Sequence, residues 1–220
     1  MSRLPRILEP EVMDSPEEAA DYDAMDHSAV NRAFAADFLA GYHEGRALDV
    51  GTGTAQIPIE ICRLDATITL DAVDAAQHML RLARRNLAAA HLEPRITLHL
   101  ARAQHLPFAD ASFAAVLSNS LVHHLPEPLP VLAEMVRVTA PRGWLFVRDL
   151  LRPADEASLD SLVHQYAAGA NEHGRQMFRD SLHAALTLDE VRALVGQLGF
   201  DPAQVRQTSD RHWTWATHRS

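Results

Sequence analysis

Residues 47–56 read Ala-Leu-Asp-Val-Gly-Thr-Gly-Thr-Ala-Gln, a glycine-rich turn between an apolar run and a helix-forming run. The apolar run over 47–50 predicts a buried strand, and the residues after the turn predict a helix over 55–63. Glycine has no Cβ, so Gly51 and Gly53 let a ligand approach the backbone closely. An ordinary strand-to-helix turn is the alternative interpretation. The stretch therefore predicts a ligand site at the carboxyl end of the first strand.

Downstream of this turn, short apolar runs alternate with longer helical segments, which is typical of strand-helix-strand units and a parallel sheet. Two short β-like runs near the C-terminus predict an antiparallel hairpin. The expected fold class is α/β: a doubly wound, Rossmann-like, seven-stranded, mostly parallel sheet. The predicted strands are 47–50, 68–73, 96–100, 113–118 and 144–149, with the hairpin at 204–208 and 213–217; the helices between them are 55–63, 75–90 and 129–139, with a turn at 141–143.

The segments that flank this core are predicted to be mainly helical. Ser15-Pro16 has the form of a helix start, and a second helix is expected with Val30, Phe34, Phe38 and Leu39 on its apolar side and Gly41 as its stop. A helix over 155–168 and a loop with Gly and His residues should precede the Thr187–Glu190 capping box, whose helix Gly199 ends. We expect a single domain over 1–220, made of a helical cap (1–45), a cofactor-binding core (46–150) and a substrate-side segment (151–220).

Composition narrows the class of partner. The formal net charge of −9 argues against non-specific attraction to nucleic acid or anionic lipid, and favours a diffusible small molecule. No stretch reaches the roughly 18 uninterrupted apolar residues of a membrane span, so no stable membrane insertion is expected. The single cysteine, Cys62, excludes an internal disulfide framework. A cytoplasmic protein is predicted, and a homo-oligomer stays open.

Two acidic residues indicate the kind of ligand. Gln56 stands where the third glycine of a dinucleotide-binding G-x-G-x-x-G turn would be, and Asp49 would repel a pyrophosphate but suits a cationic ligand. Asp74 ends the second strand 21 positions beyond Gly53, a spacing at which an acid reaches ribose hydroxyls. Asp71 is the alternative acid, and capping of the next helix is the alternative role for Asp74.

Further motifs follow at intervals along the chain. They are Val73-Asp74 with Met79, His105-Leu-Pro-Phe108 leading to Ser112-Phe113, Asn119-Ser-Leu-Val-His-His-Leu-Pro126, and Arg137-Val138 before Pro141-Arg-Gly143. Together with Leu48–Thr54 they make the chain resemble, over about 22–149, the class I S-adenosylmethionine-dependent methyltransferases, in the group that includes ubiquinone and menaquinone biosynthesis C-methyltransferases. The resemblance implies methyl transfer from S-adenosylmethionine to a small-molecule acceptor by in-line displacement. A non-catalytic S-adenosylmethionine-binding regulatory or scaffold protein is the alternative.

The resemblance also implies which residues contact the cofactor. Asp49 and Gly51 would flank the methionine moiety, Asp74 would bond the ribose, and the aromatic Tyr22 would close over the cofactor. The full implied set is Tyr22, Asp49, Gly51, Thr52, Gly53, Asp74, Ala75, Met79, Ala103, Gln104 and Asn119. Three positions depart from the family pattern: Ala55 replaces a usual third glycine, Arg102 replaces an adenine-binding Asp, and Ala114 replaces an acid.

The acceptor side is predicted from residues after the fourth and fifth strands. His123 and His124 are candidate general bases, because neutral imidazole titrates near physiological pH, and Asn119 would border the methyl group. The alternative is that the two histidines only shape their loop. Arg152 could hold an anionic substrate or pair with Asp155 or Glu156. The other substrate-binding candidates are Asp149, His27, Arg211 and His212.

No metal is expected. The chain contains 13 histidines, but none has the i, i+4 spacing with an adjacent glutamate that is typical of a zinc site.

Overall fold

The structure is a computed structural model that describes residues 4–9, 23 and 27–220. The helix start expected at Ser15-Pro16 and the aromatic Tyr22 lie outside the described residues.

Seven strands form one mixed sheet in the order β3-β2-β1-β4-β5-β7-β6. β1 pairs in parallel with β2 and β4, β2 pairs in parallel with β3, and β6 pairs antiparallel with β7. The predicted α/β class and the C-terminal antiparallel pair are confirmed. The strands are β1 (Arg46–Val50), β2 (Thr69–Asp74), β3 (Ile96–Leu100), β4 (Phe113–Asn119), β5 (Thr139–Leu150), β6 (Val205–Gln207) and β7 (His212–His218).

Helices alternate with the first five strands and then follow one another along the C-terminal third. The Thr187–Glu190 capping box is present, with Thr187 N donating to Glu190 at 2.7 Å. In the described ranges the helices are α1 (Ser28–Leu39), α2 (Gln56–Leu64), α3 (Gln77–Ala90), α4 (Pro128–Val138), α5 (Glu156–Tyr166), α6 (Glu172–Ala184) and α7 (Leu188–Gln197), with a 3₁₀ turn at Val122–His124.

The turn predicted at 141–143 is wrong, because β5 begins at Thr139 and continues through these residues. Arg142 N donates to Arg219 O at 2.7 Å, and Arg219 N donates to Gly143 O at 2.9 Å. Strand pairing with a residue 77 positions away therefore overrides the local turn signal of Pro and Gly.

The loop predicted after 168 is wrong in its larger part, because α6 occupies Glu172–Ala184. Asn171 begins this helix by accepting a hydrogen bond from Gly174 N at 2.8 Å. Leu182 is fully buried in a cluster with Leu159 and Leu162. An Asn cap and one buried leucine outweigh the glycine and histidines that suggested a loop.

The predicted apolar face of α1 is only partly correct. Phe34 and Phe38 are buried and pack edge-on against Phe146, whereas Val30 is exposed. The buried position one residue further along belongs to Asn31, whose side chain bonds Gln56 at 3.2 Å. A polar contact thus replaces the expected apolar one.

The fold divides into two compact units. The glycine-turn unit comprises the described residues of 13–119, 130–146 and 217–220, and the second unit comprises those of 1–12, 120–129 and 147–216. The glycine-turn unit contains β1 to β4, and the second unit contains α5 to α7 and β6. None of the helices that the structure describes combines the length and apolar character needed to cross a membrane.

Candidate functional site: a glycine turn and a histidine turn

The glycine turn after β1 is held against the end of β2. Gly51 N and Thr52 N both donate to Val73 O, each at 2.9 Å. Gly51 and Gly53 have φ values of 79° and 55°, in the left-handed region that glycine adopts without a Cβ penalty. The turn therefore presents bare backbone at the carboxyl end of the parallel strands, where ligands bind in open α/β sheets.

Asp74 fixes the far side of this turn. One of its carboxylate oxygens accepts from Gly53 N and the other from Ala76 N, both at 2.8 Å. A carboxylate is the acceptor type that a ribose hydroxyl needs. The alternative acid, Asp71, is instead paired with His99 at 2.6 Å and with Arg46. Asp74 is thus the β2 acid that lies beside the glycine turn.

Asp49 lies one strand away and is almost fully buried, with 2% of its surface exposed. Its register partners are Ala72 in β2 and Leu117 in β4. Burial, together with the negative charge of Asp74, raises the pKa of Asp49 to about 7. A cationic ligand group beside it would reverse both effects and restore the carboxylate, so Asp49 favours a positively charged ligand.

A surface depression of about 340 Å³ continues from the end of β2 and β3. Ala75, Gln77, Leu100, Ala101 and Arg102 line it. Leu100 is 59% exposed and is the large apolar side chain among these lining residues.

The loop after β3 is anchored from α4. Glu134 accepts from Leu106 N at 2.9 Å, and Arg137 donates to the carbonyl oxygens of Leu106 and Phe108 at 3.1 and 2.8 Å. Glu134 and Arg137 also bond each other, and this hydrogen bond to Arg137 lowers the pKa of Glu134. The pair fixes the end of the loop that begins at Ala103 and Gln104.

Asn119 ends β4 in the same unit. The preceding residue, Ser118, donates to Val50 O at 2.7 Å, so the ends of β4 and β1 are tied together. Asn119 therefore leaves its strand next to the point where the glycine turn begins.

In the second unit, a buried histidine–carboxylate pair lies at the 3₁₀ turn. His123 Nδ1 is 2.6 Å from Asp149 Oδ1, and the two side chains are 4% and 1% exposed. Burial alone would lower the pKa of His123, but the charge and hydrogen bond of Asp149 and the charge of Glu9 raise it. Asp149 also accepts from Val122 N at 2.5 Å and Leu150 N at 2.6 Å, and the charge of His123 keeps its pKa low despite burial.

The second histidine of this turn pairs with the N-terminal segment. His124 Nδ1 contacts Glu9, and the centroids of the His123 and His124 rings lie 4.0 Å apart. Arg6 donates to the carbonyl oxygens of His123, Leu125 and Ala184 at 3.2, 2.8 and 2.7 Å. Residues 6 and 9 thus fasten the histidine turn to α6.

Comparison with known proteins fixes the family. The family described as "Methyltransferase domain" matches residues 48–147, the span from β1 to β5. A malonyl-[acyl-carrier protein] O-methyltransferase of Geobacter sulfurreducens is 33% identical over 85% of this chain and 68% of its own length. The chain belongs to the class I S-adenosylmethionine-dependent methyltransferases. S-adenosylmethionine is therefore the cofactor of this methyltransferase.

A second relative supports the resemblance to the quinone group. A ubiquinone/menaquinone biosynthesis C-methyltransferase of Geotalea daltonii is 29% identical over 56% of the methyltransferase chain and 52% of its own length. The chain thus spans about half to two thirds of the length of these two curated relatives. The malonyl-[acyl-carrier protein] activity of the first relative and the ubiquinone/menaquinone biosynthesis role of the second are properties of those proteins.

A solved structure confirms the methyltransferase fold. The plantazolicin methyltransferase BpumL, in complex with a pentazolic desmethylPZN analogue and S-adenosylhomocysteine, superposes with a TM-score of 0.71 at 14% identity. The alignment covers 94% of this chain and 92% of that one. At this identity the likeness establishes the fold alone.

The predicted cofactor residues that the structure describes belong to the glycine-turn unit, with one difference in exposure. Asp49, Thr52 and Asp74 surround the turn, and Ala75 lines the depression. Met79, however, is 4% exposed and packs beside Ala76 beneath the surface.

Arg152 is already paired with another side chain. Its guanidinium is 2.6 Å from Glu190 and also donates to Ala185 O at 3.2 Å. The expected alternative partners, Asp155 and Glu156, are therefore wrong, because α7 supplies the carboxylate. Arg152 is 7% exposed, so a substrate anion would have to displace Glu190.

The remaining substrate candidates, Arg211, His212 and His27, each have different local contacts. Arg211 lies over the Tyr166 ring, 3.4 Å from its centroid, and its carbonyl accepts from Leu151 N at 2.8 Å. His212 begins β7, where burial and the charge of Arg211 lower its pKa to about 4, so it is neutral at pH 7. His27 directly precedes α1, and its carbonyl accepts from Asn31 N at 2.9 Å.

Sequence reasoning missed a polar network that ties residue 23 to the glycine turn. The Gln56 amide donates to Asp23 at 3.0 Å, and Asn86 donates to Asp23 at 2.9 Å and to Thr54 O at 3.1 Å. Interactions with the side chains of Thr54, Gln56 and Asn86 lower the pKa of Asp23 despite its partial burial. Gln56 was considered only as a missing glycine, although a long amide there can reach two elements.

Proposed function

We propose that this enzyme binds S-adenosylmethionine along the glycine turn and transfers its methyl group to a small organic acceptor whose nucleophilic atom carries a proton. The observation that carries the proposal is the arrangement of Asp49 and Asp74 on the two sides of the bare backbone at Gly51–Gly53. This donor and acceptor set fits the cofactor, which has a cationic sulfonium and amino group, two ribose hydroxyls and a flat base.

Each part of the site has a distinct binding role in this proposal. The carboxylate of Asp49 attracts the positive end of the cofactor, and the carboxylate of Asp74, which already fixes the turn, accepts from the ribose hydroxyls. Ala75 and Leu100 supply apolar surface for the adenine, and Arg102 lies over the same depression as a cation that can stack on an aromatic ring. Thr52, Ala103 and Gln104 complete the contacts, with Met79 supporting the surface from below.

The bound cofactor supplies an activated methyl group, so the protein needs to position the acceptor and accept its proton. We assign the proton to His123, because the Nδ1 contact with Asp149 fixes the ring and leaves Nε2 to act as a base. Asn119 would border the methyl group. His124, Arg211, His212, His27 and Arg152 remain candidate contacts to the acceptor.

Composition supports the remaining features of the proposal. The net charge of −9 is unfavourable for nucleic-acid substrates, and a diffusible acceptor in the cytoplasm matches the charge and the single cysteine. One relative is named as a methyltransferase of a malonyl group on an acyl-carrier protein, so the proposed acceptor class for this enzyme includes small groups carried on such a protein.

Calorimetric titration with S-adenosylmethionine and S-adenosylhomocysteine tests the cofactor site. Asp74→Ala removes the acceptor for the ribose and for Gly53 N, and we expect at least a tenfold loss of affinity, since a hydrogen bond to a charged group contributes about 1.5–3 kcal/mol. Glu93→Ala, at an exposed carboxylate outside the site, is the matched control and should bind normally. Failure of folded wild-type protein to bind either compound would refute the proposal.

A further inference from the structure

The fold brings Glu9 to the two histidines of the 3₁₀ turn, from more than a hundred residues away in the chain. One carboxylate oxygen of Glu9 and one ring nitrogen each of His123 and His124 all lie within 4.8 Å of one another. We propose that these three side chains bind a divalent transition-metal cation of the Zn²⁺ class. Two imidazoles and a carboxylate are a donor set that suits Zn²⁺ and its neighbours better than Mg²⁺ or Ca²⁺.

The ligands have the supporting contacts that metal-binding side chains require. Asp149 occupies Nδ1 of His123, so Nε2 is the nitrogen that we assign to the cation. Ligating histidines commonly bond a carboxylate through their second nitrogen, because this fixes the ring and raises its basicity. Glu9 is held in the same way, since its other carboxylate oxygen accepts from the Ser181 hydroxyl.

The backbone under the ligands is also fixed. Asp149 accepts from Val122 N at the start of the 3₁₀ turn, and Arg6 binds the carbonyl oxygens of His123 and Leu125. Both histidine side chains therefore extend from a backbone that hydrogen bonds already fix. Cation binding would cost little conformational entropy, because the ligands are already ordered.

Charge balance indicates that the cluster takes a cation. Glu9 and Asp149 place two carboxylates beside the histidines and Arg6 places one guanidinium there, so the carboxylates outnumber the fixed positive charge and favour a cation. Glu9 and His124 contact each other directly, so the carboxylate lies within reach of a cation bound to the imidazole. Imidazole and carboxylate ligands bind a metal in their deprotonated forms, so cation binding would release to solvent any proton that the cluster holds.

Two of the three ligand side chains are partly exposed, so an ion can reach the site from solvent. The His123 side chain is 4% exposed, but those of His124 and Glu9 are 23% and 13% exposed. Three protein ligands leave at least one coordination position open for water or an acceptor oxygen. His123 Nε2 cannot hold a proton and a cation together, so its role as a base belongs to the cation-free enzyme. Cation binding itself does not depend on the proposed methyl acceptor.

Titration of the purified, chelator-treated protein tests the site. ZnCl₂ is followed by calorimetry, and CoCl₂ by the visible absorption bands that report nitrogen-ligated Co²⁺. We expect one equivalent of each ion to bind with proton release, and Zn²⁺ to raise the Tm of the wild-type protein. Glu9→Gln and His124→Gln should each weaken binding by about tenfold or more.

The exposed pair Glu172 and His173 on α6 provides matched controls, because they present the same two side-chain types outside the cluster. Glu172→Gln and His173→Gln should leave Zn²⁺ binding unchanged. Far-ultraviolet circular dichroism and Tm confirm that each variant is folded. Absence of a Co²⁺ spectrum in the wild type, or equal losses in cluster and control variants, would overturn the proposal.

Discussion

Asp49 makes cofactor binding depend on pH in a calculable way. With a pKa of about 7 in the cofactor-free enzyme, it is half protonated at pH 7. If only its carboxylate holds the cationic cofactor, the ionised fraction rises from about one tenth at pH 6 to about nine tenths at pH 8, a tenfold change worth about 1.4 kcal/mol. Binding at pH 7 should therefore release about half a proton.

Calorimetry in buffers of different ionisation enthalpy measures this proton release directly. Asp49→Asn should abolish the release, flatten the pH dependence between 6 and 8, and weaken S-adenosylmethionine binding at pH 8. Asp71→Asn is the control for a buried strand carboxyl, because it removes the partner of Arg46 and His99 and should lower the Tm without changing proton release. Proton release that persists in Asp49→Asn would refute the reasoning.

The same carboxyl sets a pH dependence of stability. Its folded pKa lies above the unfolded value of about 3.9, so the fold holds a proton that the unfolded chain loses between pH 4 and 7. Stability of the cofactor-free enzyme should fall with rising pH across that window. Asp49→Asn should recover stability on the order of 2–4 kcal/mol at pH 8, measured by urea denaturation.

Two packing predictions test the scaffold. At Gly41 an added Cβ would lie 2.5 and 2.7 Å from Trp144 Cε2 and Cη2, so Gly41→Ala should destabilise the protein by about 1–3 kcal/mol in urea denaturation. Gly169→Ala is the control, because nothing lies within 4 Å of its added Cβ, and equal losses in both variants would contradict the packing argument. Glu190→Gln should lower the free energy of unfolding by about 1–3 kcal/mol, because it leaves the buried Arg152 without its counter-charge. An unchanged urea midpoint would show that the ion pair does not contribute to stability.

The sequence allowed prediction of the features that depend on neighbouring residues. The glycine turn and the capping box of α7 could be predicted because a few neighbouring residues determine their backbone conformation. The β2 strand end at Asp74 is similarly marked by the helix that follows. Strand and helix boundaries in the cofactor core accordingly agree to within two residues, apart from the start of β5.

The features that sequence reasoning missed depend on contacts between distant segments. Strand pairing of 142–143 with Arg219 turned a predicted turn into strand. The partner of Arg152 proved to be Glu190, 38 positions later, rather than a nearby acid. Spacing rules for metal ligands compare residues within one motif, so they could not place Glu9 beside His123 and His124.

A crystal structure of the enzyme grown with S-adenosylhomocysteine tests the central claim most directly. We predict density for the amino-acid portion beside Asp49 and the Gly51–Gly53 turn, ribose hydroxyls bonded to Asp74, and adenine over Leu100. Density for the ligand at any other place, with the glycine turn empty, would contradict the account.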